Sequence, residues 1–280
     1  MSSGNPPFQS PGMPNQGYPG GQPYGGYPGP QQMPPNKGGS ATKIVLIVLG
    51  VVFLLGLLVC GVAAALLVPA VTAARSEAQR QMDAGHLKQV GLALHNYQTV
   101  YKRFPAAANF NDNGEELLSW RVSILPFIEY QHLYQQVDWS QPADSMANNF
   151  LVAEVPAPYS HPDSHNSSQG MTNVFAIVAD EEQVKQDPSL QTAIAHKEYN
   201  RFRDMLDGLS NIIIAISLPN KSAPWAEPID LTPEEAYDEL QKAGSANVLF
   251  ADGSVRKIEA TAIPREKWLQ ACRMRDGWNL

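Results

Sequence analysis

Hydrophobic and polar positions divide the chain into three stretches of different character. Residues 1–43 hold Pro, Gly, Gln and Tyr with no apolar periodicity. Residues 44–68 are 25 consecutive residues without a charge, eighteen of them Ile, Leu, Val or Phe. At about 1.5 Å per residue such a run makes a helix of roughly 37 Å, enough to cross a hydrocarbon core of about 30 Å with some tilt. A single-pass transmembrane helix is predicted there, since each Ile, Leu, Val or Phe favours insertion by about 0.3–0.6 kcal/mol and outweighs Gly50, Gly56 and Gly61. A cleavable signal peptide would have an apolar region of only about 7–15 residues. A lipid on Cys60 is the other alternative, but Val59 stands where such a site wants a small residue.

The pattern then changes to mixed polarity. Leu87, Val90, Leu94, Tyr97 and Tyr101 recur at helical spacing and fall on one stripe, so the helix is expected to continue to Lys102, with a kink near Pro69 and a stop at Phe104 and Pro105. Residues 120–134 read as one or two short helices broken near Pro126, and residues 142–170, rich in Pro, Asn and Ser, as a long loop. Residues 172–178 and 211–218 are β-branched runs and predict strands. Residues 247–258 predict a β-hairpin turning at Asp252 and Gly253, where glycine accepts positive φ without cost. Thr232, Pro233 and the acidic pair Glu234 and Glu235 form a helix start, and residues 264–274 read as a last short helix. The expected fold class is α+β, a long transmembrane and amphipathic helix packed on a small antiparallel sheet. Its parts are a tail over 1–43, a transmembrane helix over 44–68 and an extracytoplasmic domain over 69–280, the last divided into helix 69–102 and head 103–280.

Composition adds three constraints. The tail has too little apolar bulk to offset chain ordering and is expected to be disordered, a spacer or a multivalent tether through Tyr18, Tyr24 and Tyr27. Beyond it lie 18 basic and 27 acidic residues, a formal charge of −9, which excludes a nucleic-acid partner. The two cysteines, Cys60 and Cys272, lie in the apolar run and near the C-terminus, so no internal disulfide is expected.

Several short motifs follow one another in order: the apolar helix end at 64–75, His-Leu-Lys-Gln-Val-Gly-Leu-Ala-Leu-His-Asn-Tyr at 86–97, Arg-Phe-Pro at 103–105 and Ser-Trp-Arg-Val at 119–122. They continue with Leu-Pro-Phe-Ile-Glu at 125–129, Asp-Gly-Leu-Ser-Asn at 207–211, Ala-Pro-Trp at 223–225 and Asn-Val-Leu-Phe-Ala-Asp-Gly-Ser-Val at 247–255. This order resembles a bacterial family known as domain of unknown function 1559, abundant in planctomycetes and similar to type IV pilins and pseudopilins. The chain departs from the pattern in three places. Lys242 stands where the closing motif has His, Asp83 and His161 stand where cysteines are often found, and the Gly-Phe-Thr-Leu-x-Glu processing signature before the apolar helix is missing. The resemblance therefore implies a pilin-like head on a helix that stays uncut.

Chemistry-bearing groupings are few. Asp207 and Asp252, in the motifs Asp207-Gly208-Leu209-Ser210-Asn211 and Asp252-Gly253-Ser254, are the candidate calcium ligands, since the resemblance extends to pseudopilin heads that carry such sites; turn chemistry accounts for Asp207, Gly208, Asn211, Asp252 and Gly253 without an ion. His161 and His165 flank Pro162, which argues for a loop rather than a helical metal pair. Asn166 opens a glycosylation sequon. His95 is expected to be structural. No nucleophile elbow, phosphate loop or Ser/His/Asp order is present, so no enzyme, no catalytic residue and no cofactor are expected. Basic residues near the apolar run, Lys37 and Lys43 before it and Arg75 and Arg80 after it, leave orientation a near tie. The pilin-like resemblance implies an inner-membrane protein with its tail in the cytoplasm and its head outside. The expected partners are the lipid bilayer and other copies or pilin-like proteins. A function at the cell envelope in structure or assembly follows; the alternative is a tethered solute- or glycan-binding module using Trp139, Tyr159 and Trp225.

Overall fold

The computed structural model describes residues 26, 29, 39–162 and 170–274. The expected disorder of the tail, the second histidine of the 161–165 pair and the sequon at Asn166 lie outside these residues, apart from the stretch from Gly39, which is already helical. The chain divides into two compact units, Met1–Ala63 and Ala64–Leu280. Helix α1, Gly39–Tyr101, runs through both and includes Pro69 as a helical residue, so the start falls a few residues earlier than expected and the helical run is unbroken at the proline. In the first unit its large apolar side chains, from Ile44 to Val62, are all exposed. It is one helix long and apolar enough to cross a membrane.

The second unit is an α+β layer structure. After α1 come the hairpin strands β1 (Ala108–Phe110) and β2 (Glu116–Ser119), which pair antiparallel, and the short helices α2 (Trp120–Ser123), α3 (Gln131–Tyr134) and α4 (Phe150–Ala153). Strand β3 (Met171–Thr172) precedes β4 (Val174–Ala176), helix α5 (Glu181–Gln186), β5 (Ile213–Ser217) and β6 (Ala223–Pro224). Helix α6 (Pro233–Ala243), strands β7 (Ser245–Phe250) and β8 (Val255–Glu259) and helix α7 (Arg265–Ala271) complete the chain. The main sheet has the order β4-β5-β7-β8, all antiparallel, while β3 pairs with β6. The single strand expected over 172–178 is thus split between two sheets at Asn173, whose amide donates to the Leu218 and Lys221 carbonyls.

Side-chain alternation explains the layers. Successive strand residues point to opposite faces. Val174, Ala176, Ala215 and Leu249 join Leu87, Val90, Ala93 and Leu94 of α1 in one core cluster. Phe175, Ile216, Val248 and Phe250, on the other face, pack with Ala236 and Leu240 of α6 and Trp268 and Ala271 of α7. The sheet is therefore covered on both faces, by α1 and by the α6/α7 pair. Helix α6 begins at the Thr232 start that the sequence announces, and the structure completes it as a capping box, Thr232 accepting from the Glu235 amide and Glu235 reaching back to the Thr232 amide.

Candidate functional site

The motif at 86–97 is a docking seam. Leu87, Val90 and Leu94 are fully buried, and each such side chain contributes about 1.5–3 kcal/mol by leaving water. The residues between them split by face: Lys88, Gln89, Leu92 and Asn96 are exposed. His86 Nδ1 donates to the Ser160 carbonyl at 3.0 Å and His95 Nε2 donates to the Ala251 carbonyl at 2.9 Å, one bond at each end of the seam. The His95 ring also packs on Phe202, with centroids 4.9 Å apart.

Two glycines bring helix and hairpin together. A Cβ on Gly91 would come within 2.8 Å of Leu249 Cδ1 and 3.4 Å of the Gly253 Cα. Gly253 takes φ 81° in the turn, and a Cβ there would meet His95 Nε2 at 3.5 Å. The Asp252-Gly253 turn is thus where the β7/β8 hairpin lies against α1. Asp252 accepts from the Ser254 amide, and its own amide donates to the Leu209 carbonyl. Gly208 sits at φ 88° in the neighbouring turn, where Asn211 Nδ2 donates to the Asp207 carbonyl. The structure therefore brings the Asp207 and Asp252 motifs together through main-chain bonds as two braced turns. Among the described residues no group of three or more His, Cys, Asp or Glu side chains could hold a metal ion.

One turn below the seam lies a polar cluster that sequence reasoning missed. Asp83 is only 1% exposed. Its carboxylate accepts from Ser217 Oγ at 2.5 Å and from Asn247 Nδ2 at 2.7 Å, and His161 Nε2 stands 4.0 Å away. Asn247 Nδ2 also donates to the Arg80 carbonyl. The two positions at which the chain departs from the expected cysteines, 83 and 161, are thus neighbours in space. Through these bonds the cluster ties α1 to strands β5 and β7. Lys242, at the third departure, lies in the last turn of α6 and pairs with Glu239 at 2.9 Å.

A second buried network explains Ser-Trp-Arg-Val. Arg121 is fully buried; it donates to Ser119 Oγ at 2.7 Å, to the Val174 carbonyl at 2.8 Å and to Asp230 Oδ1 at 2.6 Å. Trp120 Nε1 donates to the other Asp230 oxygen. Desolvation raises the Asp230 pKa above its ordinary value, against the opposing effect of Arg121. The aromatic residues named for a ligand site are mostly interior: Tyr159 and Trp225 are buried, with Tyr159 bonded to the Arg121 carbonyl and Trp225 to the Leu151 carbonyl, while Trp139 is half-buried against Tyr134.

A helix apolar enough for a membrane in its first half, and docked on an antiparallel sheet in its second, defines an α+β protein built around its N-terminal helix. The chain belongs to the family described as protein of unknown function (DUF1559), whose model matches residues 72–217, just over half its length. That match covers the docking seam, Asp83, Arg121 and β5. No curated protein and no solved structure matches the chain.

Proposed function

We propose that the chain is a non-enzymatic, single-pass membrane protein of pilin-like design, with a structural or assembly role at the bacterial cell envelope. The observation that carries this reading is the division of α1: exposed apolar side chains over its first half and the docking seam over its second. An apolar helix with no protein cover needs lipid around it, because water would face a continuous apolar surface. The head is extracytoplasmic in this reading and the tail remains on the helix in the cytoplasm.

Cysteines introduced at Ser10 and at the exposed Asn220 test the orientation with a membrane-impermeant thiol reagent on intact cells. Labelling at position 220 alone is expected; labelling at position 10 alone reverses the assignment. Assembly is tested by crosslinking in cells. A chain that stays monomeric in detergent and captures no envelope partner removes the assembly role. The alternative, a tethered solute-binding module, loses the aromatic platform of Tyr159 and Trp225 to the core, and what favours it is a charged cavity beneath α5.

A further inference from the structure

Glu181, the first residue of α5, meets a histidine ring and two lysine ammonium groups. His196 Nδ1 lies at 2.9 Å, Lys185 Nζ at 3.0 Å and Lys197 Nζ at 3.4 Å from its carboxylate. Its pKa is held at about 2, first by the hydrogen bond from Lys185, with His196 and Lys197 adding to it. The position therefore favours a carboxylate. The other ring nitrogen of His196 contacts Glu116 of β2. Glu116 thus holds the ring in place whether or not Glu181 is present.

The helix that brings Glu181 is lightly held. Helix α5 has six residues and none of them is buried. Lys185 has a second partner in Glu182 at 2.7 Å, so it stays neutralised if Glu181 leaves. Beneath the helix is a cavity of about 300 Å³. Val184, Pro188 and Ala195 supply apolar wall, His196 supplies a ring nitrogen and Lys197 supplies positive charge. A hollow that sets a short apolar wall beside Lys197 and the His196 ring suits a small ligand with one anionic group and a short apolar body.

We propose that the cavity beneath α5 is a binding site for a small monocarboxylate solute, whose carboxylate replaces that of Glu181 on His196 and Lys197. Glu181 is then an internal occupant that must be displaced. Glu198 also lines the cavity, and Asp180 and Glu182 lie beside Glu181, so a second negative charge on the ligand meets repulsion and dicarboxylates are disfavoured. The site is independent of the structural role proposed above and can fail without affecting it.

The test uses the full chain in lipid nanodiscs, titrated calorimetrically with butyrate, and with butylamine and succinate as controls. Saturable butyrate binding that weakens with added salt is expected, with no binding of butylamine and weaker binding of succinate. Glu181→Gln should tighten butyrate binding by about two- to fivefold, the scale of one exposed ion pair, because it removes the competitor. Lys197→Ala, a surface change that leaves the core untouched, should weaken it by a similar factor. A merely structural ion pair would give the opposite sign for Glu181→Gln, or none. Absence of butyrate binding to both the parent chain and Glu181→Gln, or butylamine binding as tightly as butyrate, overturns the proposal.

Discussion

Arg121 shows how a single side chain can hold several segments. Its guanidinium bridges the start of α2, the Val174 carbonyl of β4 and Asp230 just before α6, with no exposed atom on the arginine. Burial costs both charges their hydration, and the raised pKa of Asp230 shows desolvation outweighing the attraction of Arg121. The pair is therefore no large net stabiliser, yet breaking it is costly. Arg121→Met leaves the Asp230 carboxylate buried without its cation, and we expect a loss of about 3–5 kcal/mol in urea unfolding. The double variant Arg121→Met, Asp230→Asn removes the orphan charge and should recover part of that loss. If the single and double variants unfold together, uncompensated charge is not the cause. A lone Arg in a Trp-Arg-Val run carries no sign of burial in the sequence; its partner lies 109 residues away.

At the scale of elements, the legible parts were those whose signals are local. The Thr232-Pro233 helix start, the Asp252-Gly253 hairpin and the stripe from Leu87 to Leu94 each lie within a dozen residues, and each is present as expected. The hairpin of β1 and β2 was illegible because Ala108 to Phe110 is short and its partner strand carries Glu116 at its edge. Helix α5 was missed for a related reason: it buries nothing, so no apolar period marks it. The loop expected over 142–170 contains α4, anchored by Leu151 in the core, where Pro and Asn at its flanks hid the helix. The docking seam itself fixes what the head needs from α1. Residues 64–78 are exposed, and the core begins at Asp83 and Leu87. A chain starting at residue 76 should therefore keep the thermal midpoint of the intact head. One starting at residue 96 loses Leu87, Val90 and Leu94, together about 5 kcal/mol or more, and should not show a cooperative transition by circular dichroism. Equal midpoints for the two would mean that α1 is not part of the head's core.

For the whole molecule, buried and half-buried tyrosines of α1 and of the head make stability sensitive to alkali. Tyr97 of α1 lies 4.4 Å from Tyr101 and 6.0 Å from Phe127, Tyr134 packs on Trp139, and Tyr159 stacks on Trp225. Burial pushes the Tyr97 pKa up to about 12, raises that of Tyr134 and raises that of Tyr159 well above the ordinary range. A phenol whose folded pKa is raised binds its proton more tightly in the native state than in the unfolded chain. Its contribution is therefore fully present below pH 10 and is lost as pH rises from 10 through 12 for Tyr97, and at higher pH for Tyr159. Each new tyrosinate also adds negative charge to a body that already carries a formal −9, which favours expansion. The loss should run in one direction because all three shifts have the same sign and the same leading cause, desolvation. Tyr97→Phe removes one titrating group while keeping the ring against Phe127. We expect it to reduce the stability lost between pH 10 and pH 12 by about 1–2 kcal/mol, read from urea midpoints at each pH, with tyrosinate absorbance reporting ionisation in the same samples. Coincident curves for Tyr97→Phe and the parent chain would mean that Tyr97 ionises freely in the folded state, and that this end of α1 is open to solvent instead of seated on the head.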